Sequence, residues 1–494
     1  MQYEEQTLGK ETMKQSDAEQ DGEQSVVEQS VKEQSAEERR INEEEQDGEK
    51  RKKLYNPLEP SSFILYLDYN SLYASTMCEP LPIGEYRFLN ASERIDFVEN
   101  KLANHGVDEE YGYLLDVDLD YSSELHALHN MYPLCPEHLY ISEEMLSPFS
   151  KELNEKLGHK HCPKVKKLVP NLMDKRHYVL HYRNLQFYVK HGMKLIKVHS
   201  IMQFRQTRWI AKFIEYNTEM RKAAKSESEK SLWKLASNSV YGKFLEQLRN
   251  RLNVKLVTDQ KLAEMYIAKP TFQSFTSIND DLTMIKLQKT QIRWTKPTIV
   301  GIAILEISKL LMYTFHYDVI QSRYRNDAQL LFTDTDSLCY HIKTEDVYKD
   351  LKPLSHLFDF SDYPKDHELY SDENKKSLNK MKDEANGKPP IEFVGLRSKM
   401  YSLLLADGSQ KSTIKGIKKQ YAKKNLKHKM YLRCLREKTQ DIARFQQFVS
   451  RNHEIRTVQQ NKISLSCYDD KRFIFGDQDK TLAYGHFKTY KFRV

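Results

Sequence analysis

The 494-residue sequence has few cysteines and no long uninterrupted apolar run. Its six cysteines lack the paired spacing of a disulfide framework, which indicates a reducing compartment. Cys135 with His138, and His159 with His161 and Cys162, bring possible zinc ligands together, but their spacing fits no standard zinc finger. No apolar run reaches the roughly 20 residues that span a bilayer, and the N-terminus is too polar and acidic for a secretory signal. We therefore expect neither a disulfide-rich secreted protein nor a membrane protein.

Residues 1–53 differ in composition from the remainder of the chain. They are rich in Glu, Gln and Ser and poor in aromatic residues, a composition typical of disorder. They hold 16 acidic and 9 basic residues, a net charge of −7. Because the whole chain has a net charge of +7, residues 54–494 carry +14. Such a basic excess favours nucleic-acid binding, because lysine and arginine neutralise phosphates. The basic run Lys50–Lys53 is typical of a nuclear import signal or of a solvated charge run, so we expect a nuclear or viral replication site.

Two aspartates follow a strand-like apolar run. Asp334 and Asp336 lie two residues apart within Leu330–Leu338, and the pattern predicts a hairpin with both carboxylates on one side. Carboxylates held this close repel each other unless a cation lies between them. The motif indicates a Mg²⁺ site completed by substrate phosphates, although a solvated turn has the same pattern.

A third carboxylate occupies the end of another short apolar run. Phe63–Leu67 is strand-like and leads directly into Asp68. Two-metal phosphoryl transfer requires carboxylates from separate strands, which Asp68 and Asp336 would supply. A turn or cap residue is the alternative for Asp68 in isolation.

No proline interrupts the segment from Arg205 to Phe244, and the pattern predicts helices there. Lys234, Asn238 and Tyr241 fall at i, i+4 and i+7 and therefore share one helix face. An ammonium, an amide and a phenol on one face are suited to a triphosphate and a base. A solvated helix face is the alternative.

Together these segments resemble motifs A, B and C of the B-family DNA polymerases, in the family's order. Asp68-x-x-Ser71-Leu72-Tyr73 resembles motif A, Lys234-x3-Asn238-Ser239-x-Tyr241-Gly242 resembles motif B, and Asp334-Thr335-Asp336-Ser337 resembles motif C. Lys399-Met400-Tyr401 is similar to the family's Lys-x-Tyr motif. It lies in the strand-like stretch Leu396–Leu405, where we expect Lys399 and Tyr401 on one strand face. The resemblance covers about residues 60–494 and is strongest to the protein-primed, organellar and viral type, including the polymerases of Polinton or Maverick elements.

The resemblance implies an α+β, right-hand polymerase fold with palm, fingers and thumb. Its expected parts are a disordered tail (1–53), a first palm segment (54–90), an insertion like the terminal-protein region (91–204), fingers (205–245), a second insertion (246–290), a second palm segment (291–414) and a thumb (415–494). A long apolar helix over Pro297–Gln321 is expected to pack in the core.

The resemblance also implies site residues and ligands. Catalysis is assigned to Asp68, Asp334 and Asp336, with two Mg²⁺ ions (Mn²⁺ as a substitute) on Asp68 and Asp336. Nucleotide binding is assigned to Tyr73, Arg221, Lys222, Lys234, Asn238 and Tyr241, and DNA binding to Lys399, Tyr401, Lys415 and Lys418. Template and primer DNA, dNTPs and a terminal protein are the implied partners.

Some features depart from the family pattern or leave alternatives open. Only 61 residues precede Ser62, so we expect no proofreading exonuclease in this chain. An inactive mobile-element remnant that only binds nucleic acid is the second hypothesis. A reverse transcriptase is disfavoured because its aromatic-x-Asp-Asp signature is replaced by Asp-Thr-Asp-Ser. Tyr113–Leu119 alternates like an edge or half-buried strand, and we expect its Asp116 and Asp118 to face solvent without a metal.

Overall fold

The structure is a computed structural model that describes residues 61–159, 164–451, 454–476 and 480–492. The predictions made for residues 1–53, for His161 and for Cys162 lie outside the described residues. Helices and antiparallel sheets are both abundant, which confirms the α+β class.

The strands are numbered in chain order. They are β1 Ser62–Tyr69, β2 Leu81–Phe88, β3 Tyr111–Asp120, β4 Glu137–Leu139, β5 Lys167–Val169, β6 Lys175–His181, β7 Lys194–Thr207, β8 Asn253–Val257, β9 Phe272–Asn279, β10 Leu282–Leu287, β11 Ala328–Asp334, β12 Ser337–Lys343, β13 Phe358–Asp359, β14 Met381–Asp383, β15 Pro390–Arg397, β16 Met400–Leu405, β17 Gln410–Ile414, β18 Gln440–Arg451, β19 Glu454–Ser466, β20 Phe473–Ile474 and β21 Thr481–Leu482.

The α-helices of the described residues are also numbered in chain order. They are α1 Leu72–Met77, α2 Ala91–Asp96, α3 His126–His129, α4 Pro148–Lys156, α5 Tyr182–Lys190, α6 Ala211–Ala223, α7 Glu227–Phe244, α8 Gln260–Ile267, α9 Thr298–Thr314, α10 Ser322–Tyr324, α11 Val347–Leu351, α12 Lys419–Asn425 and α13 His428–Glu437.

A five-stranded sheet in the order β11-β12-β1-β14-β13 brings the distant aspartate motifs together. Strand β1 is antiparallel to β12, with Asp68 opposite Ser337, and β12 forms the predicted hairpin with β11. Apolar residues of β1 and β12 such as Leu67 and Leu338 are fully buried beneath this sheet. Their burial fixes the register, because a slip of one residue would move every apolar side chain to the opposite face.

A second sheet, in the order β2-β7-β3-β6, is formed mainly by residues of the predicted insertion 91–204. Strand β3 pairs with β6 on one side and with β7 on the other. Of the two expected alternatives for Tyr113–Leu119, the half-buried strand is confirmed and the edge strand is excluded. The apolar side chains of β3 are buried, namely those of Tyr113, Leu115, Val117 and Leu119. The polar residues that alternate with them lie on the other face of this interior strand.

The predicted apolar core helix is confirmed as α9, which continues as a π-helical segment over Phe315–Gln321. Ala303, Ile304 and Ile307 are fully buried against α1 and its neighbours. By length and composition the helix over Thr298–Asp327 is apolar enough to cross a membrane, but 61% of its most apolar window is buried inside the protein. That burial is typical of a core helix.

The segment 205–245 contains two helices rather than helix throughout. Strand β7 extends to Thr207 before α6 begins, because residues 205–207 pair with β2. Helix α7 begins at a capping box in which Ser226 and Glu229 each bond the other's backbone amide. Residues 246–290 then form a separate three-stranded sheet (β8, β10 and β9) packed against α8.

The expected single strand over Leu396–Leu405 is instead a tight hairpin between β15 and β16. Ser398 and Lys399 occupy its turn, and Lys399 has φ +58°, a left-handed conformation that a continuous strand excludes. Strand β17 completes this three-stranded sheet. Helices α12 and α13 follow it, and then the long hairpin of β18 and β19.

Candidate active site

Asp68 lies at the end of β1, directly beside the turn that holds Asp336. The backbone amide of Tyr69 donates to the carbonyl oxygen of Asp336 at 2.6 Å. Burial, together with the nearby charges of Asp336 and Glu384, raises the pKa of Asp68 to about 7. The structure thus holds at least two mutually repelling carboxylates together.

Asp334 and Asp336 flank the tip of the β11–β12 hairpin. Asp334 ends β11, whereas Thr335 and Asp336 form a two-residue turn in which Thr335 has φ +63°. The amide of Asp336 donates to the carbonyl oxygen of Asp334 at 2.8 Å. Burial raises the pKa of Asp336, and Asp334 adds to that effect. The hairpin is confirmed, with Asp336 in the turn rather than on a strand.

Lys399 forms an ion pair with Asp334. The lysine reaches it from the β15–β16 turn, so that hairpin and the β11–β12 hairpin meet at this pair. Lys399 also lowers the pKa of Asp336. The negative charge of Asp334 is therefore neutralised by direct contact with Lys399. The lysines that act on the negative charges of Asp68 and Asp336 are more distant.

Helix α7 presents the predicted motif B residues towards the aspartates. Lys234 is exposed and lies close enough to lower the pKa of both Asp68 and Asp336. Asn238 is exposed one turn later, and Tyr241 is half-buried. The helix therefore places an ammonium group beside the carboxylates and leaves an amide free at the same surface.

A crevice separates α7 from α1 and α6. Its lining includes Ser71, Arg221, Trp233, Lys234 and Asn238. A guanidinium N–H of Arg221 donates to the Ser71 hydroxyl at 3.3 Å, at the residue preceding α1. Three of the predicted nucleotide-binding residues thus share one crevice.

The other predicted nucleotide-binding residues lie around this crevice. The Lys222 ammonium donates to the Ser377 hydroxyl at 3.3 Å. Tyr73 is the second residue of α1, not a turn residue, because the helix begins at Leu72. Its ring is stacked on the Tyr241 ring.

The predicted DNA-binding residues differ in exposure. Tyr401 is only 4% exposed, its ring stacks on Phe332 at 3.9 Å, and its hydroxyl lies 3.2 Å from the Tyr66 hydroxyl. Its placement corrects the expectation of a ring beside Lys399 on one strand face, since the ring packs beneath the sheet. Lys415 and Lys418 are both exposed.

Two charged residues of the site were missed by the sequence analysis. Glu384 raises the pKa of Asp68 and pairs with Lys411 at 2.8 Å, and Lys382 lowers the pKa of Asp68. Both come from the β14 region, which pairs with β1 and places Lys382 opposite Asp68. Only that pairing reveals them, because no motif surrounds them in the sequence.

Comparisons with known proteins agree with this geometry. The family model "DNA polymerase type B, organellar and viral" matches residues 53–318, more than half of the chain. The chain belongs to this family. The matched residues include Asp68, Lys234 and Tyr241, and they end before Asp334 and Asp336.

Solved structures of Phi29 DNA polymerase are similar to this B-family chain. The ternary complex with primer-template DNA and incoming nucleotide substrates has 15% identity and a TM-score of 0.47, covering 84% of this chain and 60% of that one. The post-translocation binary complex with primer-template DNA has 16% identity and a TM-score of 0.45, covering 83% and 59%. The chain thus spans about 60% of the length of the polymerases it matches. No curated protein matches it.

Proposed function

We propose that this chain is a template-directed DNA polymerase that transfers a nucleotidyl group from a dNTP to a 3′-hydroxyl and releases pyrophosphate. The observation that carries the proposal is the convergence of Asp68 and Asp336 beside Lys234, within a chain of the B family. Family membership alone supports the class of reaction. The convergence supports its location at the tips of β1 and the β11–β12 hairpin.

B-family polymerases use divalent metal ions, and the finer proposal is two Mg²⁺ ions on Asp68 and Asp336, with Mn²⁺ as a substitute. The raised pKa values of both carboxylates fit this role, because each ionised form lacks sufficient compensating charge from the protein. When bound, such ions lower the pKa of the 3′-hydroxyl and neutralise the leaving phosphates. Asp334, paired with Lys399, acts as a supporting acid.

The crevice beside the aspartates is the proposed dNTP site. Lys234 and Arg221 place positive charge beside the triphosphate. Their attraction for it increases as negative charge moves onto the leaving group. Asn238 supplies a hydrogen-bonding amide on the same helix face, and Lys222 extends the positive charge along α6. The stacked rings of Tyr73 and Tyr241 form the wall against which the sugar and base lie.

The proposed macromolecular partners are a DNA template and primer, with a terminal protein as the priming partner. The +14 charge of residues 54–494 supports binding of this region to the phosphate backbone of DNA. Lys399, Lys415 and Lys418 are the proposed contacts on the duplex side of the active site. The protein-primed character of the family supports the terminal protein, whose proposed contact region is 91–204.

Primer extension with Asp336→Asn tests the proposal directly. Asp281→Asn is a matched control, because Asp281 is also an aspartate in a two-residue hairpin turn, between β9 and β10, and is exposed. With Mg²⁺ and dNTPs, the parent and Asp281→Asn should extend a primer. Asp336→Asn should lose extension by roughly a hundredfold or more, since it removes a metal ligand, while its DNA affinity stays near that of the parent.

Two outcomes would contradict the proposal. Extension by Asp336→Asn at a tenth of the parent rate or better would remove Asp336 from the metal site. A parent chain that binds primer-template DNA but extends it with neither Mg²⁺ nor Mn²⁺ would support the nucleic-acid-binding remnant instead.

A further inference from the structure

Two β-bulges interrupt the second sheet at the same level of strand β3. The register of β3 with β7 shifts between Asp116 and Val117, where β7 contributes His199 as its extra residue. The register of β3 with β6 shifts between Val117 and Leu119, beside His177. His177 has φ +49°, an uncommon conformation for a residue other than glycine. Bulges of this kind re-aim side chains and are enriched next to functional sites.

The bulges bring two histidines and two aspartates together. His177 Nδ1 lies 3.2 Å from Asp116 Oδ2, and His199 Nε2 lies 2.9 Å from Asp118 Oδ1. The two imidazole rings stack at 3.8 Å between centroids. One potential ligand atom from each of Asp116, His177 and His199 lies within 4.8 Å of the other two. The cluster therefore draws on three strands that are distant in sequence.

One buried polar atom of this cluster, Asp116 Oδ1, has no hydrogen-bond partner within the described residues. His199 Nε2 faces Asp118, 2.9 Å from its Oδ1. Buried polar atoms without partners are costly, and in folded proteins such atoms usually have a ligand, water or ion nearby. The cluster therefore contains a buried carboxylate oxygen that is available to bind an ion.

We propose that Asp116, His177 and His199 bind a divalent transition-metal ion of the Zn²⁺ class. Two imidazoles and a carboxylate suit zinc, whereas Mg²⁺ prefers oxygen ligands alone. Bonds of about 2.0 Å in a tetrahedral site separate two ligand atoms by about 3.3 Å, close to the 3.2 Å between Asp116 Oδ2 and His177 Nδ1. The ion ties β6, β3 and β7 together at their bulges.

Asp118 is a positioning residue of this site. Its Oδ1 accepts a hydrogen bond from the backbone amide of His177 at 2.9 Å, which holds the strained turn of β6 in place. Carboxylates beside metal-binding histidines commonly orient them in this way. The Asp116 and Asp118 side chains are only 25% and 13% exposed, which corrects the expectation that both face solvent. The proposal does not depend on polymerase activity.

Zinc content of the full chain tests the proposal. The parent, His177→Ala, His199→Ala and the control His138→Ala are loaded with Zn²⁺ and dialysed against excess Mg²⁺, which occupies all-oxygen sites. His138 is an exposed histidine on β4 outside the cluster. By mass spectrometry, the parent and His138→Ala should retain roughly one zinc per chain, and the two cluster variants should bind zinc roughly tenfold or more weakly.

Folding defects are separated from ligand loss by a conservative variant and by thermal unfolding. Asp116→Asn removes one ligand charge while preserving size, and it should fold like the parent yet lose the Zn²⁺-dependent increase in Tm. Equal zinc retention by the parent, His199→Ala and Asp116→Asn would overturn the proposal. So would a parent that retains no zinc and shows no Zn²⁺-dependent change in Tm, which would leave the cluster as a network of imidazoles and carboxylates only.

Discussion

The ring of Tyr73 lies flat on the ring of Tyr241, with 4.3 Å between centroids and 14° between planes. Tyr73 follows the strand end that carries Asp68, and Tyr241 is on the helix that carries Lys234. The stack therefore joins the carboxylate side of the site to helix α7. Burial raises the pKa of Tyr73, and the charge of Asp336 contributes to that rise, so the ring lies within electrostatic range of a proposed metal ligand.

Replacing Tyr73 should change which sugar the enzyme accepts. Removal of the ring in Tyr73→Val opens space where a 2′-hydroxyl would otherwise meet the aromatic wall. We expect the ratio of kcat/KM for dNTP over rNTP to fall by roughly tenfold to a hundredfold, the range set by one steric contact. Tyr73→Phe retains the ring and should keep the parent ratio.

The same measurement distinguishes a sugar gate from ordinary packing. A ring that only packs against Tyr241 would, when removed, reduce activity for both nucleotides equally. Unchanged discrimination in Tyr73→Val would therefore assign the stack to structural support of α7.

The sequence predicted those parts of the site that lie within single local motifs. Asp68, Lys234 and the Asp334–Asp336 hairpin could be predicted because each follows a local apolar or helical pattern. Glu384 reaches the site only through the pairing of β14 with β1. The burial of Tyr401 likewise depends on the packing of two sheets.

Longer-range pairing explains why the surroundings of Asp116 differ from the prediction. The sequence predicts a solvent-facing carboxylate, whereas the Asp116 side chain is 25% exposed and lies beside His177. Its partners His177 and His199 are supplied by strands some 60 and 80 residues away, at bulges that no local periodicity records. Strand order and register therefore carry information about this chain that motif spacing lacks.

Extension activity should depend on pH through Asp68. Its pKa of about 7 means that the carboxylate is half protonated near neutrality in the metal-free protein, and a protonated group cannot bind a metal ion. The extension rate should therefore rise between pH 6 and pH 8, measured at limiting Mg²⁺. More Mg²⁺ should move the midpoint to lower pH, because cation binding favours the ionised form. A midpoint independent of Mg²⁺ would contradict this assignment.

Metal-free stability should show the opposite trend from activity. The folded-state pKa of Asp68 lies above the unfolded value near 4, so the folded state binds more protons in this window and stability falls as pH rises from about 4 to 7. Asp68→Asn should relieve up to about 4 kcal/mol of this cost above pH 7. Its free energy of unfolding at pH 8 should exceed that of the parent, and added Mg²⁺ should reduce the difference.

The Lys399 turn allows charge and backbone effects to be separated. Lys399→Ala and Lys399→Gly both remove the ion pair with Asp334, but glycine suits φ +58° better by about 0.5–1 kcal/mol. If the charge matters, both variants should lose extension activity by a similar factor, with Lys399→Arg near the parent. Thermal unfolding should rank Lys399→Gly above Lys399→Ala. Activity that follows the thermal ranking would instead make the turn conformation decisive.

Lys415 and Lys418 should contribute unequally to DNA binding. The Lys415 backbone amide bonds the carbonyl oxygen of Lys399 at 3.2 Å, which places this exposed lysine next to the active-site hairpin. The Lys418 ammonium is already committed to the carbonyl oxygen of Gln446 at 2.6 Å. Lys415→Gln should therefore reduce the slope of log affinity against log salt by about 0.9, the value for one phosphate contact.

Lys418→Gln should change that slope less, since a lysine held by the protein has fewer directions in which to meet a phosphate. Lys349→Gln is the control, because Lys349 is exposed on α11 and already paired with Asp346 at 3.4 Å. Fluorescence anisotropy with labelled primer-template DNA across a salt series gives all three slopes. Equal slopes for Lys415→Gln and Lys349→Gln would place the duplex elsewhere. If Lys415 contacts a phosphate, its loss must reduce the number of counterions released on binding and so reduce the slope.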